Sequence, residues 1–345
     1  MLTERCEVLV DLYSDTQTRP TAAMRAVMAD AEVGDEQRRG DPTVTALCAE
    51  VAERLGHEAA VFLPTGTMCN LVGVAAHVRP GDAVVMEHLG HVLRSETGGV
   101  GVVSGAVVDT VRGERGIFTA ATLAPALEPG NAYRPPPTLV CVEQTHNFGG
   151  GSVWPLDGYR AVVDCAHDHG VAVHLDGARL FNAVVASGVS AGGWAGIVDS
   201  AWIDFTKGLG APLGAVLAGP ADYIERAWVW KHRLGGAMRQ AGIVAAACRY
   251  ALAEHIDRLR EDHERAQDLA VGLRALGCAV EPVETNMVWF AVSSVGITAP
   301  ALVEGLRNRG VRVSLVGDRL RAVTHLNIDD AGIKLALAAM AEVIG

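Results

Sequence analysis

A lysine that is to bond a carbonyl needs a site that holds its amine and strips its water. Lys207, in the stretch WIDFTKGLGAPLGAVL over residues 202–217, follows an apolar, strand-like run and precedes Gly208, Gly210 and Gly214. Lost hydration makes such an amine a better nucleophile, the setting of Schiff-base chemistry, although the same lysine could run its stem past a strand end to solvent. Asp176, in VAVHLDGARLFN, stands just beyond another apolar run beside Gly177 and Arg179. A carboxylate there costs desolvation unless it meets a cation, either a protonated pyridine nitrogen or Arg179 in a plain ion pair. Thr65, Gly66 and Thr67, in LPTGTMCN, open a helix after a strand. Free N–H groups and the helix dipole suit a phosphate there, and Thr and Gly also serve as simple caps. His91 in MEHLGHVLRSETGG and His146 in VEQTHNFGGG follow apolar runs too, as acid/base groups, ring-stacking partners or structural histidines.

These residues converge only if several strands end at one edge of one sheet. The segments AAVFLP, AVVME, AVVDTV, TLVCVE, VAVHLD and AWIDFT are short apolar runs. They alternate with helix-like segments such as TVTALCAEVAERLG and TMCNLVGVAAHV. This β-α alternation predicts a largely parallel sheet covered by helices, with ligands bound beyond the carboxyl ends of its strands. Near residue 245 begins a proline-free stretch, IVAAACRYALAEHIDRLREDHERAQDLAVGLRALG, predicted as one long helical link. TNMVWFAV, VRVSLV and LRAVTHL follow it as strands of a smaller α+β domain. The expected division is an N-terminal segment over 1–20, a large cofactor-binding domain over 21–250 and a small C-terminal domain over 251–345.

Composition narrows the chemistry. The chain has 345 residues, 50% hydrophobic and 20% charged, and a formal net charge of -11, which argues against nucleic acid or an acidic membrane as partner. Seven scattered cysteines read as reduced thiols, and the N-terminus has no targeting pattern, so a cytoplasmic protein is expected. Cys165, His167 and His169 in CAHDHG imitate a metal cluster, but residues two apart on a helix point in different directions, and no metal is expected. No G-x-S-x-G, H-E-x-x-H, P-loop or dinucleotide fingerprint occurs. A lysine, an aspartate and a phosphate-type loop at three strand ends form a pyridoxal phosphate constellation.

The motifs DLYSDTQTRPT, GDPTV, PTGTMCN, EQTHNFGGG, HLDGARLFNA, TKGLGAPLG, LGGAMRQAG, TNMV and RAVTHL occur in order over nearly the whole chain. They resemble the threonine aldolases of the β-eliminating lyase group, which have the aspartate aminotransferase fold (fold type I of the enzymes that use pyridoxal 5'-phosphate). The resemblance implies that Lys207 forms the Schiff base, Asp176 pairs with the pyridine nitrogen and His91 stacks on the ring. It implies that Gly66 and Thr67 hold the phosphate with Arg239 of a neighbouring subunit, in a homodimer or homotetramer with shared active sites. Ser14, Arg179 and Arg321 would hold the amino-acid carboxylate or a cofactor oxygen, and His146 would be a second active-site histidine. The implied reaction is retro-aldol cleavage of a β-hydroxy-α-amino acid to glycine and an aldehyde. Two alternatives stay open: β-elimination to a keto acid and ammonia, and a non-catalytic protein of this fold. Departures from the family pattern bear on substrate, because Arg38 takes a tyrosine position, Tyr13 an arginine position, and Arg94 follows His91. Arg38 and Arg94 would favour a substrate with an anionic side chain, since guanidinium grips carboxylates in bidentate fashion; solvated surface arginines, or a compensating swap between Tyr13 and Arg38, are the alternatives.

Overall fold

The computed structural model describes residues 7–345, so Cys6 and the start of the expected N-terminal segment lie outside the described residues. Thirteen strands follow one another as β1 (Val10–Asp11), β2 (Ala59–Leu63), β3 (Ala83–Glu87), β4 (Val107–Val111), β5 (Pro137–Glu143), β6 (Ala172–Gly177), β7 (Ser200–Asp204), β8 (Ala215–Gly219), β9 (Ala279–Val280), β10 (Met287–Ala291), β11 (Val311–Arg312), β12 (Ser314–Val316) and β13 (Arg319–Val323). The seven from β2 to β8 form one sheet in the order β2-β8-β7-β6-β5-β3-β4. Its pairs from β7 across to β4 are parallel, and β8 runs antiparallel to both β2 and β7. All six apolar runs become strands of this sheet. Helices cover both faces, so the residues of β3, β7 and β8 are buried throughout, and β3 and β7 accordingly read as apolar runs.

The strand β8 went unread because its Gly and Ala content looks like turn sequence. Gly214, just before it, has φ 122°, and a Cβ there would stand 2.7 Å from the Phe62 ring, so both backbone and packing demand glycine. The result is a mixed sheet whose antiparallel strand returns the chain after Lys207.

The smaller sheet has the order β12-β13-β10-β9, all antiparallel. The run VRVSLV splits at Val313. Its first half, β11, pairs in parallel with β1, and its second half, β12, pairs with β13. Leu12 N–H then donates to Arg312 O at 2.9 Å and Leu12 O accepts from Val323 N–H at 2.9 Å, which brings Ser14 and Asp15 in beside the large sheet.

The predicted single helix after residue 245 is two helices, Gly242–Glu254 and Leu259–Ala275. The break serves the Lys207 turn. His255 Nδ1 bonds Leu209 O at 2.7 Å, and Arg258 Nη1 donates to Gly208 O at 3.3 Å, so side chains at the break satisfy carbonyls that the turn leaves free.

Under the sheet, Ser200 Oγ bonds His77 Nε2 at 2.7 Å and His174 Nδ1 at 2.8 Å. Burial pushes the His77 pKa down to about 4 and, aided by the His77 charge, the His174 pKa down to about 3. Unfolding returns both rings to about 6.5. The folded chain therefore holds fewer protons below that value, and the stability from neutral rings, whole above about pH 6.5, is lost as pH falls toward the folded values. The expected loss is on the order of 2 kcal/mol for His174 at about pH 5. The urea midpoint should drop between about pH 7 and pH 5, and drop less in His174→Gln; an equal drop would exclude His174 as a source.

Candidate active site

Glu87, Glu143, Asp176 and Asp204 stand at the carboxyl ends of β3, β5, β6 and β7, which are adjacent in the sheet. Four carboxylates in a row repel unless each finds a cation, a proton or N–H donors. Burial opposes the charge of Glu87, but His146 and the N–H groups of Leu89 and Gly113 hold its pKa down at about 2. Glu143 accepts N–H bonds from His91 at 2.9 Å and Asn147 at 2.8 Å. Asp204 Oδ2 lies 2.8 Å from Lys207 Nζ.

Asp176 is the exception. Its Oδ1 accepts from Ala178 N–H at 3.0 Å and its Oδ2 from Asn70 Nδ2 at 2.9 Å, but no cationic side chain among the described residues comes within ion-pair distance. Burial, aided by the Glu143 charge and opposed by His91 and Lys207, raises its pKa to about 6. The plain ion pair to Arg179 does not form. Arg179 instead grips Asp15 through Nε at 2.7 Å and Nη2 at 2.6 Å, with both residues buried. Although burial opposes it, the Arg179 charge and hydrogen bonds hold Asp15 well below the usual carboxylate range. The buried carboxylate of Asp176 is thus left for a cation that the described residues do not supply.

Asn70 orients this carboxylate. Its Nδ2 also donates to Glu96 at 2.8 Å, and its Oδ1 accepts from Trp202 Nε1 at 2.7 Å. Glu96 in turn bonds His91 Nδ1 at 3.0 Å. One atom each of His91, Glu96 and Asp176 lie within 4.8 Å of one another, the residue types of a cation cluster. Asn70 Nδ2 bridges the two carboxylates and Glu96 holds the imidazole, so hydrogen bonds already bind the three into one relay. Burial lowers His91, but the Glu96 bond and the charges of Asp176 and Glu143 outweigh it and the pKa is raised. Nδ1 is occupied by Glu96, and Nε2 has no hydrogen bond among the described residues.

His146 lies deeper, with 1% of its side chain exposed. Gly149 N–H donates to its Nδ1 at 3.1 Å, so the proton belongs on Nε2, which faces Glu87 at 3.5 Å and Glu143 at 3.7 Å. The two carboxylates outweigh burial and raise its pKa.

Ser14, Arg179 and Arg321 gather around Asp15. Ser14 is buried with its Oγ 3.4 Å from Asp15 Oδ1. Arg321 donates from Nη1 to Asn147 Oδ1 at 2.9 Å, while its Nε is buried without a partner. A buried unpaired donor is costly and marks a place where an acceptor belongs. Gly66 and Thr67 open the helix Gly66–His77, whose cap is Thr65 Oγ1 accepting from Met68 N–H at 3.2 Å. A Cβ on Gly66 would stand 2.6 Å from the Trp202 ring, so only glycine lets this helix start lie so close to the sheet.

Arg38 and Arg239 are elsewhere in the chain. Both flank Asp35, at 3.7 and 3.2 Å, and the Arg38 side chain is 87% exposed. Neither lines the cleft made by Gly177 to Asn182, Asp204 and Lys207 to Leu209. Arg94 donates from Nε to His88 O at 2.7 Å on the surface. Sequence reasoning missed Asp15, Asn70, Glu96, Trp202 and Asp204. Two had a legible signal: Asn70 is four residues beyond Gly66, on the same helix face, and Asp204 is three residues before Lys207 in the same stretch.

This architecture is that of the aspartate aminotransferase-like fold type I enzymes. An aspartate aminotransferase variant from Thermus thermophilus superposes with a TM-score of 0.73 at 18% identity, covering 98% of this chain and 92% of that one. A threonine aldolase from Leishmania major gives 0.84 at 20% identity over 97% and 100%. The Beta-eliminating lyase family matches residues 11–294, and low-specificity L-threonine aldolase 1 of Arabidopsis thaliana is 38% identical over 339 residues, 95% of this chain and 94% of that protein. The chain belongs to the β-eliminating lyase family.

The donor set fits pyridoxal phosphate. The unmatched buried carboxylate of Asp176 suits a pyridinium nitrogen, Lys207 supplies an amine, and the first N–H groups of the helix that opens at Gly66 suit a phosphate.

Proposed function

We propose that the chain is a pyridoxal phosphate-dependent aldehyde-lyase that cleaves a β-hydroxy-α-amino acid to glycine and an aldehyde. The observation that carries this reading is the near full-length relationship to a threonine aldolase at 38% identity. The strand-end constellation of Lys207, Asp176 and His91 supports it. Bound pyridoxal phosphate supplies an electron sink for the α-carbon when one of its bonds breaks.

The chain's own residues choose that bond. Lys207 would hold the cofactor through its amine. Asp176, oriented by Asn70 and Ala178, would keep a positive charge on the ring nitrogen. Gly66 and Thr67 would bind its phosphate with backbone N–H groups. Arg321 Nε, Ser14 and the Arg179 face not spent on Asp15 would hold the substrate carboxylate and so orient the Cα–Cβ bond for cleavage. His91 would pack against the cofactor ring and offer Nε2 to the β-hydroxyl proton, while Glu96 holds Nδ1. His146 acts through Glu143, which also accepts the His91 N–H, as a positioning residue. The test is product analysis with L-threonine, L-allo-threonine, phenylserine and 3-hydroxyaspartate. Glycine with the matching aldehyde supports the reading. Keto acid and ammonia without glycine would move the chain to the eliminating lyases, and no turnover with the cofactor bound would favour a non-catalytic role.

The finer part of the proposal concerns assembly. We infer a homo-oligomer in which Arg239 of one chain binds phosphate in its neighbour's cleft and Arg38 faces an anionic substrate side chain there. The two arginines are exposed together beside Asp35, away from the cleft of their own chain, which supports a shared site. The variants Arg239→Ala and Lys207→Ala, each weak or inactive alone, should recover glycine formation when mixed, because hybrid oligomers contain one intact site. No recovery after subunit exchange would refute sharing. The same preparations of Arg38→Ala should lose preference for 3-hydroxyaspartate over L-threonine.

A further inference from the structure

Asp204 is held so that one oxygen is committed and the other is free for Lys207. Its Oδ1 accepts from Thr206 N–H at 2.9 Å and Thr206 Oγ1 at 2.8 Å. Its Oδ2 lies 2.8 Å from Lys207 Nζ, with the two side chains 4% and 13% exposed. The same Oδ2 would be 3.6 Å from a Cβ on Gly66, so the carboxylate stands between the lysine amine and the helix start assigned to phosphate. Thr18 Oγ1 donates to Lys207 O at 2.9 Å and pins the backbone of the turn.

Other charged groups face this lysine. Asp15 is neutralised by Arg179. Asp176 and His91 interact with Lys207 at longer range, and Arg321 lies beyond Asp15. Arg258 is tied to Asp262 and to Gly208 O. Asp204 alone among the described residues forms an ion pair with Nζ.

We propose that Asp204 is the positioning residue of Lys207: it shares the proton of the lysine nitrogen, both while that nitrogen is bonded to the cofactor and after a substrate amine has displaced it. The inference rests on Lys207 bonding the cofactor, as proposed above. An adjacent carboxylate favours the protonated linkage, the form whose carbon is most open to attack by an amine. On exchange, the substrate nitrogen forms its bond to that carbon, one of its protons passes to Lys207 as the old C–N bond breaks, and the released amine stays within reach of Asp204.

The test is a pH titration of the visible absorbance of the holoenzyme. In Asp204→Asn the protonated band should be lost at a pH lower by about one unit or more than in the parent chain. Thr206→Val, which removes the hydroxyl bond to Oδ1 but leaves the backbone N–H bond, and so loosens the carboxylate without touching the lysine, should shift it in the same direction by less, and it carries the test if the Asn variant does not fold. A role in packing alone would alter stability and leave the midpoint in place. Borohydride reduction and peptide mapping of the parent chain separate the two ideas. Label on Lys207 with unshifted midpoints in the variants overturns the Asp204 proposal alone, whereas label on another residue overturns the assignment of Lys207 and the proposal with it.

Discussion

Lys207→Ala is expected to lower kcat/KM for glycine formation by at least about 10³-fold, equivalent to about 4 kcal/mol of transition-state stabilisation. The variant loses the nucleophile that holds the cofactor in a reactive orientation and leaves the buried Asp204 carboxylate without its ion pair. Two causes could therefore produce the loss, and Lys207→Arg separates them. Arginine keeps a positive charge beside Asp204 but has no amine able to bond a carbonyl. If covalent attachment is the function of Lys207, Arg and Ala variants fall alike and neither yields a borohydride-stable cofactor peptide. If the lysine serves only as the counterion of Asp204, the Arg variant keeps much of its activity, and the Schiff-base assignment is wrong.

Most of the large sheet was legible in the sequence because its strands are short apolar runs spaced by helices with readable ends. Asp41 caps Pro42–Leu55, and Gly56 at φ 75° ends it. Three features were not legible, and each depends on contacts distant in sequence. β8 is a strand only because β2 and β7 flank it. VRVSLV divides because β1, some 300 residues earlier, takes its first half, as the pairing of Val10 with Val311 shows. The helical stretch after residue 245 breaks where His255 and Arg258 meet carbonyls of the Lys207 turn.

The same distinction holds in the cleft. Lys207 and Asp176 stood out as ionisable residues at the ends of apolar runs. Their partners did not, since a carboxylate such as Asp15 looks like an ordinary turn residue until Arg179, 164 positions away, closes on it. Asn70 likewise reads as one polar residue in an apolar helix, and its role follows only from the simultaneous approach of Asp176, Glu96 and Trp202. Arg38 is the opposite case. Its position in a motif suggested the cleft, yet in its own chain the side chain points to solvent, so the motif fixes its place along the chain and not the site it serves.

Asp176→Asn is expected to lower kcat/KM by about 10²- to 10³-fold, the range for removing one preorganised electrostatic group. Asparagine preserves the shape and can still accept from one of the two donors, Asn70 or Ala178, but it cannot hold a proton on the ring nitrogen, so the electron sink weakens while the fold persists. A second readout follows from linkage. Asp176 titrates at about 6 in the folded chain, above its ordinary 3.8, because burial disfavours its charge. Below the ordinary value the folded and unfolded chains are both protonated there and the group contributes its full stability; as pH rises through about 6 that contribution is lost. A cofactor cation beside the carboxylate offsets this loss only where the carboxylate is charged. The rise in melting temperature on adding pyridoxal phosphate should therefore be larger near pH 8 than near pH 5, and Asp176→Asn should lose that part of the difference. An unchanged difference in the variant would mean that no cation sits beside this carboxylate, and the placement of the cofactor ring would have to be abandoned.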